Sequence, residues 1–243
     1  MNDTIELLLR HRSIRAFTDA EVPEAHIHLA VQAGQAASTS SAVQAYSLVQ
    51  VTRPEERRAL VPLTGGQEKV ATAPAFFVVC GDARRHRLIC ARAGAPYDAR
   101  LEGFLLAVVD ATLFAQNLVI AFESMGYGAC YVGGLRNQLA EVDAILEFPA
   151  GVYPLYGLCV GIPAEAPIPR PRLPVSAVFS TDRVPEEVDV LADVDRYDEG
   201  YRAYMRERLG KDRAWSPSMA RKFSEPRRVE VAAFFREKGA DLT

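Results

Sequence analysis

The sequence predicts a protein of alternating helices and strands, of class α/β or α+β, and three observations carry that expectation. Short apolar runs bounded by Pro or Gly, such as Ala75 to Cys80, read as strands. Longer segments with helical start and stop signals lie between them. No GxGxxG follows the first predicted strand, so the fingerprint of a dinucleotide-binding doubly wound sheet is missing. The 243 residues, 49% hydrophobic and 24% charged, are enough for one large domain or two small ones.

Residues 3–10 predict a short helix capped by Asp3 or Thr4, and His11 to Phe17 follows as an extended or turn segment. Pro23 opens a second helix running to about Ala36. Ala37-Ser38-Thr39-Ser40-Ser41 ends it as a loop, because hydroxyl side chains compete for backbone hydrogen bonds. Tyr46 to Val51 is a strand and Pro54 to Leu60 a short helix. Leu63-Thr64-Gly65-Gly66-Gln67 is a turn that allows close backbone approach. Arg84-Arg85-His86-Arg87 reads as a solvated basic face, and His26 and His28 as polar-side helix residues without a task.

Arg100 to Gly126 carries the longest helical pattern, apolar on most faces, which predicts burial on most sides. Cys130 to Gly134 is a short strand and a backbone-exposing turn, Asn137 to Leu146 a compact helix, and Val152 to Val160 a buried strand ending at Gly161. Six prolines between residues 163 and 185 predict an extended arm rather than a folded subdomain. Two polar helices follow from Asp193, with the charged loop Arg206 to Arg213 between them.

The charge balance of 28 basic against 31 acidic residues leaves no footprint for general nucleic-acid binding. Cys80, Cys90, Cys130 and Cys159 include no CxxC pair, so no metal site is expected. Three of them lie in apolar surroundings, which predicts a reducing compartment without disulfides. Residues 1–17 hold Asp3, Glu6 and several Arg instead of an apolar signal run. Phe104 to Phe122 is apolar enough to suggest a membrane span, but Asp110, Gln116 and Asn117 in its middle make spanning costly. A cytoplasmic protein with neither membrane nor nucleic-acid partner is expected.

The chemistry concentrates first in His11-Arg12-Ser13-Ile14-Arg15-Ala16-Phe17. Arg forks and a Ser hydroxyl match phosphate oxygens, while Ile14 and Phe17 can anchor the segment to a core. Alone, such a heptamer is more often a solvated basic turn. It is joined by Ser38 to Ser41, by the Gly65–Gln67 and Gly133–Gly134 turns, and by Arg170-Pro171-Arg172.

Together with Thr4-Ile5-Glu6-Leu7, Gly133-Gly134-Leu135-Arg136-Asn137 and Pro171-Arg172-Leu173-Pro174, these segments resemble the oxygen-insensitive nitroreductase and flavin reductase family, its NADPH-dependent FMN group in particular. The resemblance implies an α+β fold with a central mixed, mostly antiparallel sheet flanked by helices. It implies an FMN-binding core over 1–162, and an arm with C-terminal helices over 163–243 that packs on the partner of a homodimer. The long apolar helix then forms much of the dimer interface; from pattern alone it is as readily a core helix of one subunit.

The resemblance also assigns roles. Arg12, Arg170 and Arg172 clamp the FMN phosphate, and His11 and Ser13 bond phosphate or ribityl. Arg15 sits at the pyrimidine end of the flavin, where a fixed cation stabilises the reduced anion. Ser38, Thr39 and Ser40 contact phosphate or ribityl, and Gln67 the ring or ribityl edge. The backbone around Tyr131, Val132, Gly133 and Gly134 faces N5 and O4. Ser41 and Ala42 border the acceptor pocket, where the family often carries Phe in place of Ala42. Arg208 and Arg213 are the candidates for the NADPH 2'-phosphate, in a loop that differs from the family's in text and length, with Arg228 as a further pocket candidate. The implied function is ping-pong transfer of two electrons from NADPH through FMN to nitroaromatics, quinones or free flavin, with no protein acid, base or nucleophile required. Alternatives are a flavin reductase feeding a partner oxygenase and a flavin-binding protein without turnover.

Overall fold

A computed structural model describes residues 2–243. They fall into two compact units, one running to Ala166 and resuming over Arg228–Thr243, the other Pro167–Arg227.

The first unit opens with α1 (Asp3–Leu9), capped by Asn2 rather than Asp3 or Thr4, because the Asn2 side chain accepts from the Ile5 N–H. It continues with α2 (Glu24–Gln35), β1 (Tyr46–Gln50), α3 (Pro54–Leu63), α4 (Lys69–Thr72) and β2 (Ala75–Asp82). Then come α5 (Arg84–Arg92), α6 (Leu101–Ser124), β3 (Gly128–Val132), α7 (Leu139–Leu146) and β4 (Val152–Gly161). The sheet order is β1-β2-β4-β3, and all three pairings are antiparallel. The fold class is α+β, since the helices do not serve as crossovers between parallel strands.

β2 is buried along its whole length and alternates between two cores. Phe77 and Val79 face the α2–α6 side, while Phe76, Val78 and Cys80 face the side that also holds Leu60, Leu135 and Val142. β4 switches parity at a bulge opposite Val79 and Cys80. Tyr153 before it, Leu155 as the extra residue, and Leu158 and Val160 after it all enter the first core. Pro154 is tolerated at that irregularity, and the Leu155 carbonyl accepts from Arg136.

α6 packs closely on α2 because small residues meet there: Ala30, Ala107, Ala111 and Ala115 are fully buried, and a Cβ on Gly34 would lie 2.7 Å from the Phe114 ring. Contrary to the expectation of burial on most sides, Leu101, Leu105, Val109 and Leu113 form an exposed stripe at four-residue spacing. α10 (Val231–Glu237) places Phe234 and Phe235 in the first core, and the Lys238 ammonium donates to the Phe148 carbonyl at 2.6 Å. Residues 228–243 therefore belong with the core and not with the arm.

In the second unit the Pro-rich stretch is irregular apart from a short 3-10 turn at Val175–Ala177. It folds onto its own helix α8 (Glu187–Leu209): Ser176 donates to Asp193 at 2.9 Å, and the Tyr197 hydroxyl to the Pro171 carbonyl at 3.0 Å. α8 starts six residues before the expected Asp193 and contains Arg206 and Arg208, so the loop to α9 (Ser216–Ser224) is shorter than the sequence suggests. Gly210, in the left-handed region at φ 63°, stops α8.

Candidate functional site

The His11–Phe17 segment is extended and stitched down on two sides. Ile14, 3% exposed, donates its N–H to the Ala129 carbonyl of β3 at 3.0 Å. Its neighbours run antiparallel to the end of β4: Thr18 N–H bonds Ile162 O at 2.9 Å and Ala164 N–H bonds Ala16 O at 2.9 Å. A Cβ on Gly128 would stand 2.5 Å from Ile14, so glycine there lets the segment seat. Glu165 accepts from the N–H groups of both Arg15 and Ala16. Sequence reasoning overlooked Glu165, whose partners are 149 and 150 residues away.

In an extended segment alternate side chains point to opposite sides. Arg12 and Ile14 line one recess of about 280 Å³ with Arg10, Glu123, Tyr127 and Pro163. Ser13 and Arg15 alternate with them, so Arg12 and Arg15 face different ways. His11 bonds Glu123, at the end of α6, through Nδ1 at 2.7 Å.

Arg15 belongs to a second cluster that only the fold assembles. Burial pushes the Cys130 thiol up, against the cations of Lys69 and Arg15 and with the Glu165 carboxylate adding to the rise. Lys69, Arg15 and Glu165 thus all act electrostatically on one residue of β3. Lys69, at the start of α4, donates to the Gln67 side-chain oxygen, and the Gln67 amide nitrogen donates to the Thr64 carbonyl at 2.6 Å. Lys69 was not singled out in the sequence, where a lone Lys after a Gly-rich turn carries no signal.

The Gly133–Asn137 stretch is a 3-10 turn directly after β3. A Cβ on Gly134 would lie 2.3 Å from the Thr64 carbonyl oxygen and 2.6 Å from the Gln67 amide nitrogen, so the two glycine turns touch. Gly133 is open, its nearest such neighbour being Arg136 at 3.7 Å. The Val132 side chain is fully buried in the second core and leaves only its backbone for a ligand. Tyr131 is 37% exposed and stacks edge-on with Tyr156 at 5.3 Å. Arg228 joins this group, donating to the Asn137 side chain at 3.1 Å, with its charge close to Arg136.

The serine loop is anchored elsewhere on the same helix. Ser38, Ser40, Ser41 and Ala42 are exposed and Thr39 is partly so. The fully buried Asp110 carboxylate of α6 accepts from the N–H groups of Ser40 at 3.2 Å and Ala45 at 3.1 Å. Asp110 and Glu123 stand roughly 20 Å apart along α6 at 1.5 Å per residue. α6 thus anchors two separated segments: His11 near its C-terminal end and the serine loop near its middle.

In the second unit Arg170 and Arg208 flank one ring, their guanidiniums 6.0 and 5.8 Å from the Tyr204 centroid. Burial raises the Tyr204 phenol, but hydrogen bonds from Arg208 and Arg170 outweigh it and leave it below its ordinary value. Arg172 is exposed, and Arg213 donates to the Ser218 hydroxyl at 3.0 Å. The expected charged loop is partly neutralised, since Asp212 pairs with Arg202 and Arg206 at 3.5 and 3.3 Å.

The donor set fits a phosphorylated, planar ligand. Lys69, the Gln67 amide and the backbone of an unobstructed glycine lie together after β3, and Gly133 leaves room for close approach. Among the described residues no cluster of His, Cys, Asp and Glu suits a metal ion.

Comparison with known proteins identifies the family. The model of the Nitroreductase family matches residues 8–162, and that of the Nitroreductase family C-terminal domain matches residues 170–243. The chain is 40% identical over 245 residues to FMN reductase (NADPH) of Bacillus subtilis (strain 168), covering 98% of each. It is also 40% identical over 245 residues to oxygen-insensitive NADPH nitroreductase of Salmonella typhimurium, again covering 98% of each. Among solved structures, the NfrA1 nitroreductase from B. subtilis superposes with a TM-score of 0.94 at 39% identity, covering 98% of this chain and 99% of that one. The NADPH:FMN oxidoreductase from Vibrio harveyi complexed with NAD+ does so with a TM-score of 0.90 at 36% identity, over 98% and 99%. With both halves of the sequence matched and the whole fold shared, this chain belongs to the nitroreductase family.

Proposed function

We propose that this protein is a flavin-dependent oxidoreductase that takes two electrons from NADPH and delivers them to flat, electron-poor acceptors: nitroaromatics, quinones or free flavin. The observation that carries this reading is the meeting of the Gly65–Gln67 and Gly133–Gly134 turns after β3, with Lys69 bonded to Gln67 and Gly133 left open. The relatives' names, FMN reductase (NADPH) and NADPH nitroreductase, support it.

FMN, held non-covalently, would supply the hydride-accepting and electron-donating chemistry. The chain's own part is to bind and to tune. Arg15 and Lys69 put fixed positive charge where a reduced ring would carry negative charge. Gln67 presents its amide to the ring or ribityl edge, and the backbone N–H groups around Gly133 and Gly134 face the reacting edge. His11 and Ser13, with Ser38, Thr39 and Ser40, bond the phosphate or ribityl chain. In the first unit Arg12 is the phosphate-binding cation and Arg228 borders the nucleotide pocket; in the second, Arg170 and Arg172 serve phosphate and Arg208 and Arg213 the nucleotide donor. Donor and acceptor occupy the same open face in turn, which gives ping-pong kinetics.

The reading includes a cytoplasmic homodimer with the cofactor at the subunit interface and the arm of each chain reaching its partner. The exposed stripe of α6 and the bare Val175, Val178 and Phe179 of the arm support this, as does the separation of the two site groups along α6.

Purified protein is expected to be yellow and to release FMN on denaturation. Anaerobic NADPH should bleach it faster than NADH, and nitro compounds, quinones and free FMN should restore the colour at rates that rank them as acceptors. A protein without flavin that also fails to bleach after FMN is added would overturn the reading. Recolouring by free flavin alone would favour a flavin reductase that serves another enzyme.

A further inference from the structure

Three residues outside the proposed contacts converge on the loop that follows α2. Asp110 is the single carboxylate buried within the apolar α6, and each of its oxygens takes one backbone N–H, of Ser40 and of Ala45. Arg85 and His86, on α5, hold the carbonyl side of the same loop. Arg85 donates to the carbonyls of Gln44, at 3.0 Å, and of Tyr46; His86 Nε2 donates to the Val43 carbonyl at 2.8 Å. The basic run that reads as a solvated face in the sequence is therefore a tether.

What these groups restrain is unusual backbone. Ser41, Ala42 and Gln44 have φ of 47°, 58° and 53°. Residues with a Cβ adopt the left-handed region reluctantly, and three within four positions persist only when surrounding structure fixes them. Bonds from a buried carboxylate to N–H groups are charge-assisted and suited to that task.

We propose that Asp110, Arg85 and His86 are positioning residues that mould the Ser38–Gln44 loop. They hold its N–H groups and its carbonyls at once, and so preset the edge that Ser38–Ser40 give to the cofactor and Ser41 and Ala42 to the acceptor. The inference rests on the flavin reading for the loop's ligands, while the moulding itself is independent of it. Its consequence is conformational: a loop released from the clamp spends part of its time away from the binding-competent shape, and apparent affinity falls by the competent fraction.

The test compares wild type, Asp110→Asn and the double variant Arg85→Gln/His86→Gln as apo-proteins. The readouts are hydrogen exchange at the Ser40 and Ala45 amides and titration with FMN followed by flavin fluorescence quenching. Asp110→Asn keeps the shape but turns one acceptor into a donor. If the loop is then competent about a tenth of the time, the FMN dissociation constant rises about tenfold and both amides exchange faster. The α5 variant, altered at the surface, moves both readouts the same way and decides the matter should Asp110→Asn fail to fold.

Adding Ala42→Gly and Gln44→Gly to Asp110→Asn is expected to recover at least about threefold of the lost affinity, because glycine accepts positive φ without steric cost. A residue needed only for the stability of α6 would give no such rescue. Unchanged amide exchange and unchanged FMN affinity in both clamp variants, with wild type binding FMN, would overturn the proposal and leave the flavin reading standing. A wild type that binds no FMN would defeat the flavin reading, and amide exchange would still decide the moulding.

Discussion

At the scale of single residues, the two adjacent glycines of the β3 turn separate folding from binding. A Cβ at Gly134 collides with the Thr64 carbonyl oxygen at 2.3 Å, which is backbone and cannot swing away. Gly134→Ala is expected to cost about 1–3 kcal/mol, as overpacking does, and to lower the thermal midpoint with or without flavin. Gly133→Ala meets nothing closer than 3.7 Å and should leave apo-protein melting unchanged, yet weaken FMN binding because the new methyl stands where the ring edge is proposed to lie. Calorimetry and flavin titration on the two variants check both outcomes. The thiols make a second case. Burial pushes Cys159 up to about 12 and raises Cys80 and Cys130 as well, so their reactive thiolate forms are depleted near neutral pH. Brief treatment of native protein with iodoacetamide at pH 7.5 should modify the partly exposed Cys90 and spare the other three, as peptide mass spectrometry will show.

At the scale of elements, α9 depends on a cap borrowed from α8. The Asp198 carboxylate accepts from the N–H groups of Trp215 at 2.7 Å and Ser216 at 2.9 Å, and from the Ser216 hydroxyl. Burial alone would raise this carboxyl, but the bonds from Ser216 and Trp215 hold it below the usual carboxylate value. A lowered folded pKa gives stabilisation that is fully present above the unfolded carboxyl pKa, near 3.9, and is lost as pH falls through the folded value. Trp215 is the chain's one tryptophan and packs edge-on against Tyr197 at 5.3 Å, so its emission reports on this corner. Asp198→Ala is expected to cost about 1–2 kcal/mol, as loss of an N-cap does, and to shift the Trp215 emission transition to lower temperature at pH 7. As pH falls from the unfolded carboxyl value through the lowered folded one, the difference between variant and wild type should shrink, because the wild-type carboxylate becomes protonated and loses its charge-assisted bonds.

Elements were legible where pattern and punctuation agreed. β2 between Pro74 and Asp82, α2 after Pro23 and the span of α6 follow from apolar runs and breakers that act locally. What escaped the sequence depends on partners far along the chain. Glu165 matters because β4 ends beside the Arg15 segment, and Asp110 because α6 passes beneath the serine loop. Arg85 and His86 read as solvent-facing until α5 is docked against the residues after that loop. The Ser38–Ser41 stretch was recognisable as a loop from its hydroxyls, but the left-handed Ser41, Ala42 and Gln44 were not, since none is glycine.

At the scale of the whole molecule, the proposed dimer explains why one chain splits its site. His11, bonded to Glu123, and the serine loop, bonded to Asp110, are anchored roughly 20 Å apart along α6, with the uncovered Leu101, Leu105, Val109 and Leu113 stripe on the same helix. In the proposed dimer a second copy docks on that stripe and lends its serine loop to the first chain's Arg15 side. Val109→Glu places a carboxylate in the apolar seam, where an unpaired charge is strongly disfavoured. Light scattering should then report a monomer, and FMN affinity should fall at least about tenfold as the competent population is depleted. Leu88→Glu, at an exposed position of α5, should change neither. Mixed dimers give the sharper result. Let one chain carry Arg15→Ala and the other Asp110→Asn. If each site joins the cluster of one chain to the loop of the other, one site receives both lesions and the second receives neither. Tagged, co-purified mixed dimers should then bind one FMN per two chains with wild-type affinity. If each site lay within one chain, every site would carry one lesion and no wild-type binding would survive.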